Sequence, residues 1–217
     1  MTTLVLASAS PARLATLRRA GVDPVVVVSS VDEDAVVARY GVTDPADVAL
    51  VLARAKAEDV AASPDVPGDA LVLGCDSVLE MDGEVHGKPA DAAEAVGRWR
   101  RMSGRSGVLH TGHWLVDTRD GDDGGTGATL GSVASTTVHF ATPSEDEIAA
   151  YVATGEPLRV AGAFTVDGLG GAFVRGIEGD HHNVVGISLP MLRDLLCEVG
   201  LAWTSLWRTP VSPSSER

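Results

Sequence analysis

The sequence predicts an α/β fold built on a mixed sheet, and three observations carry that expectation. Short apolar runs of strand length alternate with stretches whose apolar residues recur at helical spacing. One pair of runs, Val78–Met81 and Glu84–His86, flanks Asp82-Gly83, a strong hairpin signal, so an all-parallel sheet is disfavoured. The 217 residues are 45% hydrophobic and 22% charged, enough for one large domain or two intimate lobes and too apolar for disorder.

The elements follow in order. Thr3–Ala7 is an apolar run of strand length. Ser10-Pro11 reads as an N-cap followed by proline at the first helical position, with Leu14, Leu17 and Arg18 at helical spacing and Gly21 closing the helix. Pro24–Ser29, with its four valines, predicts a strand. Thr43-Asp44-Pro45 opens a second helix whose buried face is marked by Val48, Val51, Leu52 and Ala55, with Lys56 beside that face. After a loop with Pro64, Pro67 and Gly68, Ala70–Cys75 predicts a buried strand ending at Asp76. The hairpin ends at Lys88-Pro89, and Ala92–Met102 predicts a helix. Val108–Asp117 and Ser132–Phe140 predict strands joined by the polar, Gly-rich stretch Arg119–Gly127, expected as a mobile tip. Thr142–Glu145 opens a helix reaching about Thr154. Ala161–Gly171 predicts a Gly-rich loop, Ala172–Ile177 a strand and Ser188–Val199 a helix. Residues 1–205 are expected as a single domain of two dependent lobes, and residues 206–217 as a flexible tail.

Composition narrows the function. The net charge of -13, with no basic run and no row of aromatics, argues against nucleic acid. No apolar run has membrane-spanning length, and the start lacks a secretory pattern, so no membrane partner and a cytoplasmic location are expected. Cys75 and Cys197 read as buried free thiols, a disulfide being the alternative. There are fifteen Arg but only two Lys, Lys56 and Lys88. Two lysines that survive such a bias point to roles for a compact charge on a flexible stem, with chance survival as the alternative.

Several residues could carry chemistry. Ser8-Ala9-Ser10-Pro11-Ala12-Arg13 is a small, hydroxyl-rich turn between strand and helix, an anion site in form; the alternative is an ordinary cap with a surface Arg. No Gly-x4-Gly-Lys-Ser/Thr occurs, and the spacing of Gly168-x-Gly170-Gly171 is wrong for a dinucleotide fingerprint. Asp32-Glu33-Asp34 could hold Mg²⁺ or Mn²⁺ or could be a solvated acidic loop. Asp76 leaves a buried strand, where a carboxylate needs a cation, hydrogen bonds or a function; a structural cap is the alternative. His110 and His113 fall on opposite faces of their strand, His181 and His182 are expected to diverge, and no zinc-binding pattern occurs.

In their order along the chain these pieces resemble the Maf family of nucleoside triphosphate pyrophosphatases. The matching stretches are Leu6–Arg13, Val31–Glu33, Ala53–Ala57, Gly74–Ser77, Gly87–Pro89, Thr111-Gly112, Ala161–Phe164, Ile177–Gly179 and Asn183–Gly186, spanning residues 3 to 200. The resemblance implies a twisted mixed sheet with flanking helices, folded as two lobes around a central cleft, as in the inosine triphosphatases. It implies hydrolysis of a nucleoside triphosphate, including modified ones, to monophosphate and pyrophosphate with Mg²⁺ or Mn²⁺; some members are linked to arrest of cell division and septum formation. A nucleotide-binding regulator without turnover is the contrasting class. The implied roles are phosphate binding by Ser8, Ser10, Arg13, Lys56 and Lys88, metal binding by Glu33, and either proton abstraction or metal ligation by Asp76.

The base pocket departs from the pattern. One branch of the family has Ser-Pro-Arg-Arg in the first loop with Gln in the Ala-Gly loop, and is associated with thymidine and uridine nucleotides. The other has Ser-Pro-Trp-Arg with an acidic residue there, and is associated with 7-methylguanosine triphosphate. Here Ala12 and Asp167 occupy those positions and match neither branch, and Ser77 differs from both. A carboxylate at Asp167 favours a donor-rich base, guanine or cytosine, unless it points to solvent. Family members are often homodimers, and Trp203 and Trp207 could serve a contact or the core.

Overall fold

The computed structural model describes residues 2–208. The sheet has seven strands. β1 (Thr3–Ala7) lies between β2 (Val25–Val26) and β3 (Ala70–Met81) and is parallel to both. On its two edges β3 also pairs antiparallel with β4 (Glu84–His86) and β5 (Ser106–Asp117), and the sheet continues antiparallel through β6 (Thr129–Phe140) and β7 (Val174–Glu178). The mixed sheet is as predicted. The helices are α1 (Pro11–Arg19), α2 (Glu33–Tyr40), α3 (Pro45–Ala61), α4 (Ala92–Met102), α5 (Glu145–Ala153), α6 (His181–Val185) and α7 (Leu189–Glu198). No described helix is long and apolar enough to cross a membrane.

The break expected at Asp76 does not occur: β3 runs through it to Met81. What ends there is the partner strand. β1 stops at Ala7, opposite Gly74, and β4 begins only at His86, opposite Leu79. Between those points one edge of β3 has no ladder partner, while the other edge stays paired to β5 throughout. This gap positions the functional site. Sequence pattern could not show it, because the apolar run looks the same whether one edge is covered or both.

One face of β3 and β5 carries two cores. Leu71, Leu73, Cys75 and Leu115 pack with α1 and α7 around Leu17, Leu192 and Leu196. Farther along, Leu79, Met81 and Leu109 pack with α4 and α5 around Trp99. Trp99 meets Phe140, Tyr151 and Phe173 edge-on at 5.9, 5.5 and 5.6 Å and donates its indole N–H to Ala163 O at 2.8 Å. Ser77 and Thr111, paired across β3 and β5, interrupt the apolar face between the two cores.

The other face carries α3, which Asp44 caps with Pro45 behind it, as predicted. Half of its expected stripe holds, since Val48 and Leu52 are buried, but Ala49, Ala53 and Ala57 complete the buried face while Val51 and Ala55 are only half-buried. Two strand glycines explain this. A Cβ at Gly74 would lie 2.1 Å from Ala53 O, and one at Gly112 would lie 2.2 Å from Ala49 O. Glycines below and alanines above let helix and sheet backbones approach closely.

Other expectations shift. Only Val25–Val26 of the valine run joins the sheet, as an exposed edge. The acidic run Asp32-Glu33-Asp34 is not a loop but the start of α2: Asp32 is the cap, accepting from Ala35 N, and the acids favour the positive helix end. Gly41, left-handed at φ 63°, closes that helix. The Arg119–Gly127 connection is anchored rather than loose, because Asp117 binds Arg119 and Thr126 and buries both charges. Cys197 is exposed, and Cys75 alone is buried, its thiol pushed up to about 12 by desolvation. Leu206–Arg208, expected to begin the tail, are instead held to the body. Leu206 is buried, Trp207 pairs with Val22, and Arg208 bonds Asp23 and Gly21 O. The rest of the expected tail, 209–217, lies outside the described residues. Trp203 packs against the first core.

His113 joins β5 to α7. Its Nδ1–H donates to Thr111 O at 3.0 Å, and Nε2 accepts from Ser188 N at 2.8 Å. Ser188 is the cap of α7, so a proton on Nε2 breaks a helix-end hydrogen bond. Burial, first, and the Arg13 charge depress this imidazole to about 4. The unfolded chain takes up a proton near pH 6.5 that the folded chain refuses, so stability is full above that value and falls with pH toward 4. Between pH 7 and pH 5 the expected loss is about 2 kcal/mol. Denaturant melts check it: a His113→Gln variant should show a flatter stability profile across this window, and an equal slope in both proteins would refute the linkage.

Candidate functional site

The first turn sits at the carboxyl end of β1, beside the gap. Ser10 caps α1, accepting from Arg13 N at 3.4 Å, and Pro11 takes the first helical position. The Ser8 hydroxyl oxygen accepts from Ser10 N at 3.2 Å and from Arg13 Nη1 at 3.0 Å. Its own proton remains to donate into the cleft. The Ser10 hydroxyl likewise only accepts, so the loop presents two hydroxyls and the positive end of a helix to an anion.

Arg13 is buried rather than reaching out as a surface clamp. Its Nε donates to Gly186 O at 2.7 Å and its Nη2 to Ser77 Oγ at 2.9 Å. It thus ties together the first turn, the centre of β3 and the end of α6. Gly186 sits at φ 115°, and a Cβ there would lie 3.2 Å from Arg13 Nε, so glycine meets both constraints. Ser77 also pairs with Thr111 Oγ1 at 2.9 Å, and Thr111 donates to Asn183 O at 3.3 Å. Since Thr111's proton is thereby engaged, Ser77 donates to Thr111 and accepts from Arg13. Ser77 orients Arg13 and has no proton left for a ligand.

Asp76 points from the opposite face of β3 toward α3. The close approach over Gly74 brings Lys56 down beside it, where its ammonium contacts Asp76 Oδ1. The same ammonium lies 2.7 Å from Glu33 Oε1, on the first turn of α2. One cation thus bridges two carboxylates from different elements. Burial pushes the Asp76 carboxyl up despite the nearby Lys56 and Arg13 charges. Burial acts the same way on Glu33, but Lys56, Lys88 and Arg13 outweigh it and hold that carboxyl below its usual range. Asp34 lines the cleft with no side-chain partner among the described residues, and Asp32 is committed to its cap.

Lys88 is exposed at the mouth and has no ion-pair partner among the described residues. Gly87 O, just before it, accepts from Gly162 N at 3.0 Å and Arg98 Nη1 at 2.5 Å, which fixes the turn. Asp167 is exposed on the loop after Phe164 and lines the same cleft. Ser8, Ser10, Arg13, Glu33, Lys56, Asp76, Ser77, Lys88 and Asp167 all line this cleft of about 1410 Å³, larger than the ~300–1,000 Å³ usual for small ligands.

The expected divergence of His181 and His182 is not found. They open α6, and their rings lie 3.8 Å apart beside Asp180. His110 and His113 do fall on opposite faces: His110 bonds Ser135 and Glu80. Residue-type reasoning gave no role to Thr111, Asn183 or Gly186. Asn183 is fully buried and donates to Leu109 O, Ala134 O and Thr136 Oγ1, locking α6 to the sheet. The one local hint was a polar residue followed by Val-Val-Gly.

Residues 3–199 match the family model described as Maf-like protein. The chain belongs to the Maf family. Among curated relatives, a nucleoside triphosphate pyrophosphatase of Streptomyces coelicolor is 57% identical, covering 94% of each chain. One of Salinispora tropica is 59% identical over 94% of this chain and 87% of its own. One of Mycobacterium marinum is 51% identical over 98% of this chain and 100% of its own. Of the stretches that carry the resemblance, the first turn, the α3 lysine, the central aspartate and the α6 glycine meet beside the gap in the sheet edge.

Proposed function

We propose that this Maf protein is a nucleoside triphosphate pyrophosphatase that works by water attack at the α-phosphorus. The observation that carries the reading is the meeting of Asp76, Glu33 and Lys56 beside a phosphate-type turn. Net charge is -13, so local cations must overcome the global field. The Ser8 and Ser10 hydroxyls and the α1 N-terminus bind phosphate oxygens, and Ser10 also shapes the turn as its cap. Lys56 and Lys88 neutralise the triphosphate and the departing pyrophosphate. Arg13 fixes Ser8 and adds positive charge from behind.

Glu33 and Asp76 fit a divalent metal, since both already converge on one cation and offer hard oxygens. Bound there, Mg²⁺ or Mn²⁺ would supply charge neutralisation and acidify water. Lys56 must then release the carboxylates and turn to phosphate, which its flexible stem allows. Asp76 takes the proton of the attacking water. The water oxygen bonds to the α-phosphorus, the α–β bridging bond breaks, and pyrophosphate leaves with the electron pair. One domain carries the reaction, because both cores rest on β3 and β5.

The test is product counting in heavy-oxygen water. One pyrophosphate per nucleotide consumed, with the label in the monophosphate, is the expected result. Orthophosphate instead points to γ-phosphate release, and binding without turnover to a regulator of division. Asp167 on the cleft wall extends the reading to a donor-rich base. A triphosphate panel tests that part, and a preference for uridine or thymidine nucleotides would refute it.

A further inference from the structure

We infer that Glu156 is a positioning residue that sets nucleobase selectivity by holding the 165–170 loop as one wall of the cleft. The inference rests on the proposed reading for the identity of the ligand and for the base lying on the Asp167 side of the cleft.

Glu156 follows α5 and has no ion-pair partner among the described residues. Its carboxylate serves a loop instead. Oε1 accepts from Tyr151 Oη at 2.9 Å, Thr165 Oγ1 at 2.6 Å and Gly170 N at 3.0 Å, and Oε2 accepts from Leu169 N at 3.1 Å. Burial alone would raise this carboxyl, yet the hydrogen bonds from Thr165, Leu169, Gly170 and Tyr151 hold it below the usual range. The group therefore stays ionised and keeps accepting at neutral pH.

Two glycines show how closely the loop is drawn in. A Cβ at Gly168 would lie 2.7 Å from Glu156 Oε2, and one at Gly170 would lie 2.4 Å from Tyr151 Oη. Tyr151 belongs to the second core, so the loop is referenced to packed structure. Thr165, Asp167 and Leu169 from this loop, and Glu156 itself, line the cleft. The phosphate-binding turn belongs to other elements, β1 and α1, packed on the first core. Moving the loop should thus alter contacts to the base and leave those to the phosphates unchanged.

Glu156→Gln keeps the shape but replaces one acceptor oxygen with an amide NH₂, which cannot accept from Leu169 N. Calorimetry with a panel of nucleoside triphosphates and with tripolyphosphate reads the effect directly. Affinity for the preferred triphosphate should fall about tenfold and the spread among bases should shrink, while tripolyphosphate affinity stays within about twofold. In turnover assays KM should rise with kcat held within about threefold. Unchanged base selectivity, or an equal loss for tripolyphosphate, would overturn the assignment. Thr165→Val removes one hydroxyl from the same carboxylate and should shift selectivity the same way by less. If Glu156→Gln fails to fold, this variant decides by the same two readouts. Absence of pyrophosphate from wild type would defeat the pyrophosphatase reading alone, because the binding comparison needs no turnover.

Discussion

Asp76→Asn lowers kcat by about 10³-fold and leaves nucleotide bound with near-normal affinity. The side chain keeps its shape, and β3 stays paired to β5 beneath it. What disappears is the base and one carboxylate of the pair around Lys56. Glu33 retains the ammonium at 2.7 Å, so the cation is not left unpaired. The phosphate-binding groups on the first turn do not touch Asp76 and should hold triphosphate as before. Pyrophosphate release gives the rate, and calorimetry with an α,β-methylene analogue gives the affinity. Wild-type turnover in this variant would sink the proton-acceptor role. Combined loss of turnover and metal-dependent binding would make Asp76 chiefly a ligand holder.

The largest stability effect is expected away from the cleft. Asp117 and Arg119 are 0% and 3% exposed as side chains, and the pair is bidentate at 2.8 and 2.9 Å. Thr126 N and Oγ1 each add a bond to Asp117 at 2.8 Å, and Arg119 Nη2 reaches Val199 O at 3.0 Å. Asp117→Asn leaves a buried guanidinium without its counter-charge, which costs about 3–5 kcal/mol. For a chain of this size that lowers Tm by roughly 10 °C. Desolvation opposes ionisation of Asp117, but the bonds from Arg119 and Thr126 prevail and hold the carboxyl far below its usual range. Its folded-state pKa is depressed, so the stabilisation is complete above the unfolded value, about 3.9, and fades as pH falls below it. Thermal melts at neutral pH check the size of the effect. A shift under about 2 °C would show that the loop relaxes and hydrates the charge.

Much of the fold was legible from local signals. Asp44-Pro45, Asp82-Gly83 and Ser144 mark boundaries because capping and turn chemistry act within a few residues. Asp32 carried the same capping signal, but three adjacent acids read more readily as a loop or a metal site, and α2 was missed. Val48 and Leu52 of the α3 stripe were legible, but Val51 and Ala55 were chosen where Ala49, Ala53 and Ala57 are buried. The deciding partners, Gly74 and Gly112, lie far along the chain, and their lack of side chains gives the small face its place. Asp117 read as the end of a strand and Arg119 as the start of a mobile tip, since their pairing depends on burial that the sequence does not show.

The sequence by itself determined the class of fold and the family, and it pointed to side chains that the fold gathers around one cleft, because spacing and turn chemistry are local and the motif order is specific. Tertiary structure alone decided how those members divide the work. Arg13 and Ser77 became a buried clamp, Lys56 became the bridge between Glu33 and Asp76, and Glu156 became the anchor of a loop. Each role depends on which donors and charges remain unpaired after distant segments meet, and on how far burial weakens their contact with water.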